Sequence, residues 1–300
     1  MRADTVDLLG HDLVVSEGRL TLRDGRTLAW REYGPPDGRP VLRFQGTPGS
    51  RLSRHPHEDS YDRLDARMIV FDRPGYGAST RLPGRGIAVV ADDAAELLDN
   101  LGLEVVHVIG GSGGGPHALA FAGRHAGRVR AATVVVGAAP LEEEDVGGMI
   151  EPNRDSWYAA RAGWDAMYEH LASLREQMLA DPLGGVRAAM EAAPESDKEI
   201  MEDSAWQRGL VEDVSEALRP GAEGWADEGM ALSLDWDIDP ADVRCSVTWW
   251  HGEHDANAPL AAVRRVLERM QSVDLRVWTD AGHLTPYLRH DEILAELLAR

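Results

Sequence analysis

Along this chain short apolar runs alternate with stripes of apolar residues at helical spacing. Residues 18–33 (GRLTLRDGRTLAWREY) alternate apolar and polar positions about Asp24-Gly25, which predicts a β-hairpin closed by a type I′ turn. Residues 40–44, 67–71, 105–109 and 131–136 are short and almost continuously apolar, as in strands buried on both faces. Val89, Ala94, Leu97, Leu98 and Leu101 recur at helical spacing, and Gly102 closes that helix. Small residues after Gly115-Pro116 predict another helix. After Pro140 the texture changes. Trp157, Trp164, Met167, Leu171, Leu174 and Met178 fall on one helical face, with Asp155 or Ser156 as its cap. Ser196 and Glu199 are spaced as a capping box, ahead of helical pattern through Leu218. No strand-like run occurs over 141–232. Strands return at 246–250 and 275–278, with helices at 260–270 and 290–298.

Short apolar strands alternating with helices imply an α/β fold, a mostly parallel central sheet covered by helices on both faces. A helical cap is then inserted after the sixth strand. Residues 1–140 and 243–300 form the core domain and 141–242 the cap, which sits over one edge of the sheet. The 300 residues suffice for a sizeable core.

Charge sharpens that division. The net charge is −20, from 51 Asp/Glu and 31 Lys/Arg. Residues 142–242 hold 26 acids and 7 bases, a net of −19; the rest holds 51 − 26 = 25 acids and 31 − 7 = 24 bases, a net of −1. An acidic insert on a near-neutral body disfavours nucleic acid and anionic membranes as partners. Glu142, Glu143, Glu144 and Asp145 read as a solvated face. The single cysteine, Cys245, excludes an intrachain disulfide and a cysteine-based zinc site. The first residues lack the basic start and apolar stretch of a signal peptide, and no run of about 18 apolar residues exists. A cytoplasmic location follows, with a small-molecule substrate, no membrane, and a monomer or homodimer.

The chemistry gathers at strand ends. Gly110-x-Ser112-x-Gly114 stands between a strand and a helix, the context of a nucleophile elbow. Glycine two before and two after the serine meets the crowding of so tight a turn, and a helix N-terminus favours developing negative charge. A serine needs a base, and the base an orienting acid. Asp255 and His283 each follow a predicted strand, so both reach the sheet edge that bears Ser112.

With these motifs in hand, the sequence resembles the α/β-hydrolase family from about Gly18 to its end, the insert excepted. The resemblance rests on QGTPGSR at Gln45, DRPGYG at Asp72, GGSGGG at Gly110, HGEHDANAP at His251 and AGHLTP at Ala281. It implies Ser112 as nucleophile, His283 as general base and then acid, and Asp255 as orienting carboxylate. It implies an oxyanion hole from the backbone N–H groups of Thr47 and Gly113, and it makes the insert the family's lid. One position departs: where the family usually has His-Gly, this chain has Gln45-Gly46. Gln45 either braces its loop or touches substrate.

Several motifs lead elsewhere. His251-x-x-His254-Asp255 lacks helical support as a metal site, so no metal is expected. His117, on the helix behind Ser112, reads as a packed histidine. Asp72 and Arg73 read as hydrogen-bonding their own turn. No phosphate loop and no dinucleotide fingerprint with its acidic partner is present, so no cofactor is implied. The insert holds five of nine tryptophans and six of nine methionines. Most must pack it, but some should line the pocket, which suits a bulky apolar substrate. Gln45, Gly46, Trp157 and Trp164 are the candidate substrate contacts. The expected activity is serine hydrolysis of an ester, thioester or lactone through an acyl-enzyme on Ser112. The alternatives are a lyase or cyclase acting on this framework, and a ligand-binding protein on a hydrolase scaffold.

Overall fold

The computed structural model describes residues 14–57, 59–184, 186–187 and 195–300. Eight strands form one sheet: β1 Val14–Thr21, β2 Thr27–Tyr33, β3 Arg39–Phe44, β4 Ala66–Phe71, β5 Val106–Gly111, β6 Val129–Val135, β7 Val247–Gly252 and β8 Val273–Trp278. Their order is β1-β2-β4-β3-β5-β6-β7-β8. The β1–β2 and β2–β4 pairs are antiparallel and the rest parallel. The fold class read from the pattern is the one observed. The hairpin is present too, but its turn differs. The carbonyl of Leu22 accepts from Gly25 N–H, and of the central pair only Gly25 has positive φ, at 88°. A type I′ turn needs both central residues there, so this is the three-residue loop with a bulged glycine.

The helices relevant to the site are α1 Asp59–Arg63, α2 Ala88–Asn100, α3 Gly114–Arg124, α4 Glu143–Val146, α5 Glu151–Ala162, α6 Trp164–Ala180, α7 Glu195–Lys198, α8 Ser204–Ala217, α9 Glu223–Ser233, α10 Leu260–Leu267 and α11 His290–Leu298. Alternation along β3 shows how the sheet divides two cores. Leu42 and Phe44 pack with Leu97, Phe121 and Val263 from α2, α3 and α10. Val41 points the other way, to Tyr61 and Leu294 of α1 and α11. A third cluster lies within the insert around Met167, Leu171, Val214 and Trp225, and Tyr76 of the body enters it.

Between β6 and β7 the described residues form helices and no strand. The single stripe read from Trp157 to Met178 is broken: Gly163, with φ 113°, ends α5 and starts α6. Asp155 and Ser156 therefore lie inside α5, where Ser156 Oγ donates to Pro152 O. Ser196 is not a cap either. The cap of α8 is Asp203, whose carboxylate accepts from the N–H groups of Ala205 and Trp206.

The insert's acids face the body's arginines. Arg51 pairs with Glu216 at 2.6 Å, Arg54 with Glu212 at 2.9 Å, Arg81 with Asp227 at 2.6 Å and Arg269 with Asp239 at 2.9 Å. Asp145 is buried against Arg265, which corrects its reading as part of a solvated face. Five of the insert's 26 acids thus form a seam between two parts of one chain.

Candidate active site

Only Ser112 and Gly113 separate β5 from α3. So short a turn puts Ser112 at φ 51°, which a non-glycine residue occupies at a cost. Its surroundings hold it there. Ser112 N–H donates to Val135 O at 3.0 Å, and its carbonyl accepts from Gly115 at 2.9 Å and Ala138 at 3.0 Å. The flanking glycines are required by space: a Cβ on Gly110 would lie 2.6 Å from Ala118 Cβ, and one on Gly114 2.1 Å from Phe44 O.

His283 and Asp255 come from the loops after β8 and β7. His283 Nδ1 stands 2.8 Å from Asp255 Oδ2, and His283 Nε2 stands 3.1 Å from Ser112 Oγ. An ionised carboxylate only accepts, so Nδ1 carries the proton and Nε2 faces the serine hydroxyl with its lone pair. Asp255 Oδ1 accepts from Asn257 N–H at 2.8 Å and Ala258 N–H at 2.9 Å. Burial opposes the charge on Asp255, but His283 and these contacts hold its carboxyl below the ordinary range. Burial likewise pulls His283 down; the charge and hydrogen bond of Asp255, with the charge of Asp197, outweigh it and raise the imidazole above its ordinary value. The arrangement can take a proton from Ser112 and keep it near neutral pH.

Asp197 was not singled out from sequence. It reaches from α7 and accepts from the N–H groups of Gly282 at 3.2 Å, Leu284 at 2.9 Å and Thr285 at 2.8 Å. Beside it, Ser196 Oγ donates to Asp280 O at 3.0 Å. The insert thereby grips both flanks of His283.

Glu228, on α9, is the second residue missed. Its two oxygens take Arg73 Nε at 2.6 Å, Arg85 Nη2 at 2.9 Å, Tyr76 Oη at 2.7 Å, Thr47 Oγ1 at 2.9 Å and His117 Nε2 at 2.9 Å. All but Thr47 are buried. Arg73 does more than hold its own turn: it donates to Gln45 O at 2.6 Å and Gly46 O at 2.9 Å, which fixes the loop carrying Thr47. Asp72 does hold its turn, through Ala78 N–H and Arg51. Thr47 and Gly113 face each other beside Ser112, since a Cβ on Gly113 would lie 2.3 Å from Thr47 Oγ1. Gly113 is the N-cap of α3, whose first amides have no partner within the helix.

Ser112 and His283 open into a cavity of about 1270 Å³, walled also by Trp206, Trp225, Met149 and Met178 from the insert. Of the four candidate substrate contacts only Gly46 lines it, together with the expected oxyanion donors Thr47 and Gly113. Gln45 is turned into the body, where Nε2 donates to Phe71 O at 2.8 Å and Gly49 O at 3.4 Å. Trp157 is buried with Nε1 directed to Leu141 O, under the guanidinium of Arg161. Trp164 donates to Asp227, stacks on Tyr168 and carries Arg81 on its ring. Their polar edges found partners in the insert, Trp164 at Asp227 and Trp157 at the carbonyl of the cavity-lining Leu141. Met190 lies outside the described residues.

His117 is packed, as read. His251 is buried, with Nε2 donating to Ala258 O and Nδ1 accepting from Trp249 Nε1. Both ring nitrogens are engaged, and no cluster able to hold a metal occurs among the described residues. Nor is any described helix long and apolar enough to cross a membrane.

Residues 39–288 match the family model described as alpha/beta hydrolase fold. The chain is 26% identical over 270 residues to a non-heme chloroperoxidase, CPO-A1, of Kitasatospora aureofaciens, covering 88% of this chain and 90% of that protein. Among solved structures it resembles an enol-lactonase from Burkholderia xenovorans, with TM-score 0.69 and 18% identity over 94% of this chain and all of the other. An esterase from Exiguobacterium antarcticum superposes with TM-score 0.65 and 21% identity, over 94% and 99%.

Proposed function

Because the chain belongs to the alpha/beta hydrolase fold family, we propose that it is a serine hydrolase of an ester, thioester or lactone. The observation that carries this reading is His283, hydrogen-bonded to Asp255 on one side and facing Ser112 Oγ on the other. In this reading Ser112 Oγ attacks the carbonyl carbon and passes its proton to His283 Nε2. The carbonyl oxygen becomes an oxyanion facing the amides of Thr47 and Gly113. The bond to the leaving oxygen or sulfur breaks, and His283 returns the proton to it. Water then attacks the acyl-enzyme, again through His283, and the acid leaves with Ser112 restored.

Residues 141–242 act as a cap over a core of 1–140 and 243–300. The cap walls the cavity and holds the His283 loop through Asp197, so closure and alignment of the base are linked. A cavity of this size suits a bulky substrate. Gln45 gave the reason to look beyond hydrolysis, and its amide is committed to Phe71 and Gly49.

The test is a fluorophosphonate with intact-mass detection. One adduct on the wild type, none on Ser112→Ala and slow labelling of His283→Ala supports the reading. Folded wild type that takes no adduct contradicts it and turns attention to lyase or cyclase chemistry.

A further inference from the structure

The cavity in front of Ser112 contains a guanidinium with no hydrogen-bonded or ion-paired partner among the described residues. Arg43 lies between Leu42 and Phe44 on β3 and lines the cavity. Its Nε is buried without a hydrogen-bond partner. Among the described residues it forms neither a hydrogen bond nor an ion pair, whereas Arg51, Arg54, Arg73 and Arg81 each hold a carboxylate. A half-buried cation with unused donors is costly to keep.

Its charged neighbours, Asp213 of the cavity wall among them, make no direct contact with it. Its charge is felt by Asp213, His55, His290 and Tyr287. Asp213 already accepts from Ser50 N–H and Ser50 Oγ, both at 2.7 Å, and burial pushes its carboxyl up to about 6. His55 and His290 stack at 4.3 Å and are both held toward the neutral form by burial. Tyr287 connects this corner to the nucleophile, for a Cβ on Gly111 would lie 3.9 Å from its hydroxyl. Arg43 pairs in register with Ile109, and Ser112 is three residues further, at most about 10 Å along the chain.

We propose that Arg43 anchors a carboxylate of the substrate, so that the bond broken at Ser112 belongs to a compound that also carries a free acid. A hemi-ester of a short dicarboxylic acid, or a lactone bearing an acid side chain, has this form. The planar fork of one arginine matches one carboxylate in charge and geometry. A phosphoryl dianion would leave a negative charge unmatched in a cavity that Glu151, Asp155, Asp181 and Asp213 also line. The inference rests on the hydrolase reading for the bond broken, though not for the anion.

The test pairs binding with turnover. Monoethyl adipate and its neutral counterpart, ethyl hexanoate, are titrated into Ser112→Ala by calorimetry and offered to the wild type as substrates. The acid ester should bind ten- to a hundredfold more tightly. Adding Arg43→Gln should bring the two within about threefold, and Arg43→Lys should fall between, as a point charge in place of a fork. Equal affinities in Ser112→Ala, or a preference that survives Arg43→Gln, would overturn the proposal. A binding preference with no hydrolysis of either ester would sink the hydrolase reading alone. Equal binding with equal hydrolysis would sink the carboxylate anchor alone.

Discussion

Two histidines in this molecule each lie against a buried carboxylate at nearly the same distance. His283 is 2.8 Å from Asp255, and His117 is 2.9 Å from Glu228. Yet the first is raised above its ordinary value and the second is lowered to about 4. Burial acts downward on both. The difference lies in what else each carboxylate holds. Asp255 has two backbone amides and neutral His251 nearby, so its charge is available to His283. Glu228 is shared with Arg73 and Arg85, whose positive charges also repel a proton on His117. A carboxylate makes its histidine a base only when guanidinium groups have not already neutralised it.

The largest break in this symmetry is kinetic. His283→Ala should slow acylation of Ser112 by about 10⁴-fold or more, whereas His117→Gln should change it far less. Equal losses would mean that both histidines act through the fold. Asp255→Asn should follow His283→Ala, with a slow rate and a limb of the pH–rate profile shifted to lower pH. In the wild type that limb lies above about pH 6.5, since the base must be neutral.

Thermodynamics should reverse the ranking. Glu228→Gln strands two buried guanidinium groups and should cost about 3–5 kcal/mol by denaturant unfolding. A loss below about 1 kcal/mol would show that the hub is not a charge network. The two histidines also bias stability with opposite sign. His117 has a folded pKa near 4, below the unfolded value of about 6.5, so the unfolded chain binds the proton first. Its contribution is lost as pH falls from about 6.5 to 4, by up to about 3 kcal/mol. His283 has a raised folded pKa, so it stabilises below about 6.5 and that gain is lost as pH rises through the folded value. Unfolding of His117→Gln across pH 4–7 should be flatter than that of the wild type.

The smallest effect concerns Gln45. Gln45→Ala strands the carbonyl of Phe71 and should cost about 1–3 kcal/mol without altering the choice between ester substrates. A changed preference would restore Gln45 as a substrate contact.

What the sequence displayed and what it hid divide along the same line. Strand, turn and helix around Ser112 are local, and Gly110 is demanded by Ala118 eight positions on, so the elbow was legible although Gly114 answers to the distant Phe44. The loops of Asp255 and His283 were legible because each follows an apolar strand. Glu228 pairs with Arg73 across 155 positions, and no spacing rule reports such a partner. One signal was there: Glu228 falls on the helical stripe of Trp225 and Leu232, where a solvated acid is out of place. Asp197 gave less, being one acid among many in a stretch that reads as surface. The long stripe from Trp157 to Met178 misled because apolar spacing persists across Gly163, and only the φ of that glycine breaks the helix. The tryptophans read as pocket walls were misplaced for a related reason: composition places them in the insert, but the partners of each N–H decide which way they face.

The most direct measurement is a pH titration of both ring systems by NMR in isotope-labelled protein. His283 should gain its proton above pH 6.5 with Nδ1 already protonated in the neutral form, and His117 should stay neutral down to about pH 4. A His283 that charges at or below 6.5, or a His117 that charges near it, would contradict the claim that the guanidinium groups around Glu228 separate a brace from a base.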